Sequence, residues 1–154
     1  MTIRRARAGD IPQIASLLRQ VQDIHAKGRP DLFVEGARKY TDNEIAALLK
    51  DDNRPIFVYT EGDVLSGYIF CEIRERHDPS HTPIRTLYID DLCVDESARR
   101  QGVGRALFEY AKAFAKEIGC YDLTLTVWAC NPGARRFYEE LGMQARSFFM
   151  ETIL

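Results

Sequence analysis

Three aspartates, three arginines and two glycines crowd into Asp90-Asp91-Leu92-Cys93-Val94-Asp95-Glu96-Ser97-Ala98-Arg99-Arg100-Gln101-Gly102-Val103-Gly104-Arg105. An apolar run ends at Val94, a polar turn follows, and a helical pattern begins at the glycines. The first turn of a helix has amide N–H groups without partners, and its aligned peptide dipoles carry partial positive charge. Gly102 and Gly104 place no Cβ there, so an anion can approach the main chain closely. Arg99, Arg100 and Arg105 add cationic side chains around the same spot, which suits a pyrophosphate. Two other phosphate-binding loops are excluded by spelling. A P-loop needs Lys-Ser/Thr after its last glycine, and Arg105-Ala106 stands there; a dinucleotide fingerprint needs a third glycine where Leu107 lies.

Asp90 and Asp91 are candidates for general-base work. Consecutive strand residues point to opposite faces, so both carboxylates line one pocket only if a bulge intervenes. An unpaired buried charge is costly, so at least one carboxylate is expected to face a wet cavity. A nucleophilic cysteine, Cys93 or Cys130, is the competing chemistry, but no histidine stands at a recognisable distance and buried thiols are usually core residues. No metal site is expected: Pro79 breaks the helix that would bring His77 and His81 together, and the four cysteines never form CxxC.

These groups need a framework, and its elements are readable. Residues 2–6 form a short strand. Asp10-Ile11-Pro12-Gln13 carries helix-start signals for a helix over 11–26, with Asp10 as N-cap, and Gly28 and Pro30 end it. Thr41-Asp42-Asn43-Glu44 is a capping box before a shorter helix containing Ile45, Leu48 and Leu49. Strands follow over 55–60 and 64–73, joined by a turn at Glu61-Gly62-Asp63, and a third runs from Arg85 to Val94. The apolar stripe Val103, Ala106, Leu107, Tyr110, Ala111, Phe114, Ala115 and Ile118 marks a helix from Gly102 to Ile118. Residues 122–128 alternate as a strand. Asn131-Pro132 opens a last helix with Ala134, Phe137, Tyr138 and Leu141 inward, and 143–154 should supply one or two final strands. This order predicts an α/β fold in αβα layers, a mixed sheet with helices on both faces.

The chain of 154 residues reads as one domain, 1–154, without internal repeats or linkers. Apolar residues make up 45 % and charged residues 29 %, which excludes a disordered or low-complexity chain. With 21 Lys+Arg against 23 Asp+Glu, no footprint for nucleic acid or an anionic membrane appears, and neither is expected as a partner. No signal peptide or membrane span is evident, and the singly spread cysteines fit a reducing cytoplasm.

Arg99-Arg100-Gln101-Gly102-Val103-Gly104 matches the Gln/Arg-x-x-Gly-x-Gly/Ala loop of the GNAT superfamily, the acyl-CoA-dependent N-acetyltransferases. Asn131-Pro132-Gly133-Ala134-Arg135-Arg136-Phe137-Tyr138-Glu139-Glu140-Leu141-Gly142-Met143 resembles that superfamily's closing motif, and the two stand in the expected order. The resemblance covers essentially the whole chain. It implies a mostly antiparallel mixed sheet whose fourth strand splays from the fifth, with pantetheine lying in the gap along Leu92, Cys93 and Val94. It implies a diphosphate on the amides from Arg100 to Arg105, including Gln101, Gly102, Val103 and Gly104. It also places Asn131 at the pantetheine or at the start of the last helix, and Tyr138 at the sulfur.

Set beside that resemblance, the chemistry is acetyl transfer from acetyl-CoA to an amine by direct attack in a ternary complex. The amine must be neutral, the oxyanion needs a donor such as a strand amide near Val94, and Tyr138 can protonate the leaving thiolate. Ile89-Asp90-Asp91-Leu92-Cys93-Val94 resembles the corresponding strand of polyamine-type members, which assigns the base role to Asp90, with Asp91 second. His25 to Phe33 resembles a lid pattern over the acceptor, with His25, Asp31 and Phe33 as lining. Tyr88 and Trp128 line the same gap or pack in the core. Acidic residues Asp31, Glu35, Asp90 and Asp91 lean the acceptor toward a small cationic amine. Peptide or protein acetylation, and a non-catalytic acyl-CoA sensor, are the alternatives. A homodimer through the C-terminal strands is the family default.

Overall fold

Alternating burial along the strands places two helical layers on one sheet. In the computed structural model, which describes residues 1–154, the strands are β1 (Thr2–Arg5), β2 (Ile56–Glu61), β3 (Val64–Glu75), β4 (Arg85–Val94) and β5 (Asp122–Leu125). The α-helices are α1 (Ile11–Gly28), α2 (Asp42–Leu48), α3 (Val103–Glu117) and α4 (Pro132–Glu140). The sheet order is β1-β2-β3-β4-β5, antiparallel throughout except for the parallel β4–β5 pair. Ile56, Val58, Tyr68, Phe70 and Cys93 pack with Ile14, Leu17 and Leu18 of α1 and Ile45 of α2. Their strand neighbours Phe57, Tyr59, Ile69, Cys71, Leu87 and Ile89 pack with Val103, Leu107, Phe108, Ala111 and Ala115 of α3. Period two therefore sorts each strand between two cores.

Local chemistry agrees with the expected boundaries at most ends. Thr41 accepts from Glu44 N at 3.2 Å while the Glu44 carboxylate takes Thr41 N at 3.1 Å, which completes the capping box. Gly62 adopts φ 58° in the β2–β3 turn, and Gly119 adopts φ 79° after α3. Asp10 departs from expectation. It occupies the N-cap position of α1 but makes no side-chain cap; its carboxylate turns back to Arg4, at 2.7 and 2.9 Å, and to Arg7 N. Gln13 clamps the β2–β3 turn instead, donating to Asp63 O and accepting from Leu65 N.

Three further expectations are corrected. β5 ends at Leu125 rather than 128, because residues beyond it have no strand partner. Tyr110 leaves the buried stripe of α3, being 38 % exposed, and touches Phe57 with its ring edge. Residues 143–154 form no strand: nothing within the chain pairs with them, and Phe148, Phe149, Met150, Ile153 and Leu154 stand exposed. No helix is long and apolar enough to cross a membrane.

Helix α3 meets the sheet closely at Gly67 on β3. A Cβ built there would lie 3.0 Å from Cys93 O, Leu107 Cδ1 and Val103 Cγ1. Gly67 thus lets the first turns of α3 sit directly on the sheet. Gly67→Ala is expected to cost about 1–3 kcal/mol in urea unfolding. Gly9→Ala, with open space around its Cβ, should be neutral or slightly stabilising.

Candidate functional site

The site begins with a register shift. Phe70 opposes Asp91 and Cys71 opposes Ile89, so Asp90 is an extra residue bulged out of β4. Leu87 and Ile89 face α3, and so do Leu92 and Val94, but Asp90 and Asp91 both face the α1–α2 side. A single bulge therefore turns two neighbouring carboxylates onto one face. Pairing of β4 with β5 also stops here: Ile89↔Leu125 is the last match. From Asp91 to Val94, β4 keeps its β3 partners on one side and has no strand on the other. This is the splay.

The two carboxylates have different partners. Asp90 receives the Tyr40 hydroxyl on Oδ2 at 2.6 Å and Lys39 Nζ on Oδ1 at 3.0 Å. Asp91 Oδ2 receives the Tyr68 hydroxyl at 2.8 Å. Asp91 keeps some accessible surface at the splay, yet burial of its carboxyl lifts the pKa to about 6, against the Tyr68 hydrogen bond that lowers it. Tyr40 lies flat on Phe70, with centroids 5.6 Å apart, and Tyr68 meets Phe70 edge-on at 4.8 Å. Burial and then Asp90 hold the Tyr40 hydroxyl well above its usual pKa. Lys39, Tyr40 and Tyr68 had no sequence signal as site residues beyond the nearness of Lys39 and Tyr40 to the capping box.

Beyond Val94 the chain forms a loop whose amides are left without partners. Asp95 accepts from Ser97 N and Oγ at 2.9 and 2.6 Å and from Gln20 Nε2 at 3.0 Å, which fixes the exit from β4. Arg100 takes φ 64°, a left-handed conformation costing on the order of 1–3 kcal/mol for a residue with a Cβ. Gly102 follows at φ 80° with open space where a Cβ would be. No backbone carbonyl accepts from the amides of Arg100, Gln101, Gly102, Val103, Gly104 or Arg105; the first bond of α3 runs from Ala106 N to Gly102 O at 3.0 Å. Such a row of unsatisfied N–H groups at a helix start binds anions. Gln101 donates to Ser97 O, while Arg99, Arg100 and Arg105 remain exposed around the loop.

Gly104 has a reason the sequence did not reveal. A Cβ there would stand 3.1 Å from Phe137 Cζ and 3.5 Å from Val94 Cγ2, so the missing side chain seats α4 against the loop. Asn131 caps α4 by accepting from Ala134 N at 3.1 Å. The helix then carries Tyr138 beside Phe108 and Phe137, half-buried near Asp91 and Cys93. Burial first, then Asp91 and Cys93, raise the Tyr138 pKa, so the phenol keeps its proton. Burial likewise pushes the Cys93 thiol up to about 12, and its Sγ rests against Leu17 O. A buried neutral thiol is a poor nucleophile. Exposed Cys130 packs on α1 instead, where a Gly28 Cβ would come within 2.6 Å of its Sγ.

On the α1 side, the His25, Phe33 and Trp128 rings form one cluster, with centroids 4.9 Å apart for His25–Phe33 and 5.0 Å for Phe33–Trp128. Burial, and then Lys39, lower the His25 pKa and keep the ring neutral. Asp31 is not with them: both its oxygens bind Arg29, which also holds Glu151. Tyr88 also stands apart, its ring under the Arg74 guanidinium at 3.7 Å. Pairing of Asp31 with Arg29 and Asp90 with Lys39 offsets much of the expected acidic character. His77 and His81 lie by different carboxylates, Glu75 and Asp78.

The raised pKa of Asp91 has a measurable consequence for stability. Below the unfolded aspartate pKa near ~3.9, Asp91 is protonated in both states; from there to about 6 the folded state alone keeps its proton. Stability is therefore lost as pH rises through that window. Asp91→Asn should leave stability near pH 3.5 unchanged and raise it at pH 7 by on the order of 2 kcal/mol, allowing for partial exposure. Urea unfolding at the two pH values measures the difference.

The geometry has counterparts among known proteins. Residues 18–143 match the family model described as the acetyltransferase (GNAT) family. An uncharacterised N-acetyltransferase, YhfO of Bacillus subtilis, is 28 % identical over 155 residues, covering 100 % of this chain and 97 % of that protein. A tetramutant of the BH1408 protein of Bacillus halodurans superposes with a TM-score of 0.95 at 30 % identity, over 100 % of both chains. An acetyltransferase of Vibrio fischeri aligns with a TM-score of 0.69 at 26 % identity, over 83 % of this chain and 97 % of that one. Splayed strand, free amide row and closing helix thus stand in a chain that belongs to the GNAT acetyltransferase family, whose general donor is acetyl-CoA.

Proposed function

We propose that this chain acetylates a small primary amine by direct attack within a ternary complex. The carrying observation is the unpartnered amide row from Arg100 to Arg105, beside the free edge of β4. Those amides, with Arg99, Arg100 and Arg105, would hold the diphosphate, and the open backbone of Leu92, Cys93 and Val94 the pantetheine arm. When bound, acetyl-CoA supplies the thioester carbonyl that the amine attacks.

Asp91 is the better base of the pair. Its pKa of about 6 keeps it ionised yet basic at neutral pH, and it has an oxygen left over from Tyr68, whereas both oxygens of Asp90 are occupied. The acceptor is mostly an ammonium at pH 7, with a pKa near ~10.4, and it must give up a proton before attack. Asp90 would help attract that ammonium, and the His25, Phe33 and Trp128 rings would border its carbon skeleton. Tyr138, protonated and half-buried beside Phe108 and Phe137, would donate to the departing sulfur.

Turnover of a panel of diamines and aminoglycosides, followed by free-thiol release, tests the reading. Tyr138→Phe should lower kcat by about 100-fold with CoA affinity retained. The wild-type rate should rise through pH about 6, and Asp91→Asn should remove that limb. Binding of CoA with no amine turned over would favour the sensor.

We further propose a homodimer that exchanges the C-terminal segment. An open groove of about 270 Å³ beside β5, lined by Phe108, Cys120, Leu123, Leu141 and Met143, adjoins the edge that lacks a sixth strand. Residues 148–154 expose the apolar side chains to fill it in a second copy. Light scattering should give a dimer mass, and Phe148→Asp with Phe149→Asp a monomer; a wild-type monomer would contradict the exchange. A cytoplasmic location agrees with the four unpaired thiols, which a reducing compartment maintains.

A further inference from the structure

A positive charge stands beside the bulge of β4. Lys39, from the connector between α1 and α2, places Nζ 3.0 Å from Asp90 Oδ1 and 3.2 Å from the Asp90 main-chain carbonyl. That carbonyl belongs to the bulged residue, the first beyond the last β4–β5 pair, so the ammonium rests against β4 where the sheet opens. Its neighbours hold it there: Nζ lies 5.6 Å from the Tyr40 ring centroid, and the Tyr40 hydroxyl occupies the other Asp90 oxygen. The side chain is 43 % exposed, so it is reachable from solvent.

We propose that Lys39 is a self-acetylation site, with its Nζ as an internal acceptor. The proposal rests on the acetyl-CoA reading above. Lys39 ammonium gives one proton to the Asp90 carboxylate, and its lone pair forms a bond to the thioester carbonyl carbon. The C–S bond breaks as sulfur takes a proton from Tyr138, and the second proton on nitrogen restores the phenol. Overall, Lys-NH3+ and acetyl-CoA give acetyl-lysine, CoA thiol and one proton, with no redox change. Acetylation removes the charge that neutralises Asp90, so a modified chain presents both carboxylates to an external cation.

Peptide mass spectrometry of the full chain after incubation with deuterated acetyl-CoA tests this, since the heavy label excludes acetylation acquired during expression. Heavy acetyl should enter Lys39 about 100-fold faster than exposed Lys112, and Tyr138→Phe or Asp90→Asn should slow Lys39 to the Lys112 rate. Lys39→Arg should remove the fast labelling of the intact chain. Equal rates at Lys39 and Lys112 would overturn the proposal. So would an unlabelled Lys39 in a preparation that binds CoA and acetylates 1,4-diaminobutane. Failure of CoA itself to bind, measured by calorimetry on the same sample, would instead overturn the donor reading beneath it.

Discussion

An extra residue in β4 governs the chemistry available to this fold. Without Asp90 in the bulge, period two would send Asp90 and Asp91 to opposite faces, one of them into the apolar layer under α3. With it, both carboxylates meet tyrosine hydroxyls from the α1–α2 side, and Leu92 and Val94 return to the α3 core in phase. The same point is where β5 stops pairing. Bulges bend and twist a strand, so the separation of the two strands and the gathering of the carboxylates follow from one local insertion. Burial then divides the pair: Asp90 is occupied by Lys39 and Tyr40, and Asp91 is left with a pKa of about 6.

Close approach of main chains does the rest. Gly67 admits α3 onto β3, and Gly104 admits Phe137 of α4 onto the first turn of α3. The loop before α3 and helix α4 are thereby in direct contact, and the placement of Tyr138 depends on a glycine in the other motif. Arg100 stays left-handed because Asp95, Ser97 and the start of α3 hold both ends of the loop. Strain of that kind persists only where surrounding bonds enforce it.

Much of this was legible in the residues. The helix starts, the glycine stops and the order of strands follow from caps and periodicity, and the loop and closing helix were visible as paired motifs. Even the bulge had a trace: the apolar phase Leu87, Ile89 shifts by one before Leu92, Val94. Other features were not local. Asp10 is a good cap by type, but Arg4 arrives from another element and takes its carboxylate. Asp31 looks like pocket lining until Arg29 claims it. Lys39 and Tyr40 carry no motif and reach Asp90 only through the packing of α2. Residues 143–154 have strand composition, but within one copy they pair with neither free edge of the sheet.

Titration of isotopically labelled protein with CoA, followed by amide chemical shifts, is the most direct measurement of the central arrangement. Large perturbations at Arg100 through Arg105 and along Leu92, Cys93 and Val94, with little change on β1 or β2, are the predicted pattern. Saturation without movement of those amides, or binding that perturbs a different face of the sheet, would contradict a donor held by the main chain of this loop and this opened strand.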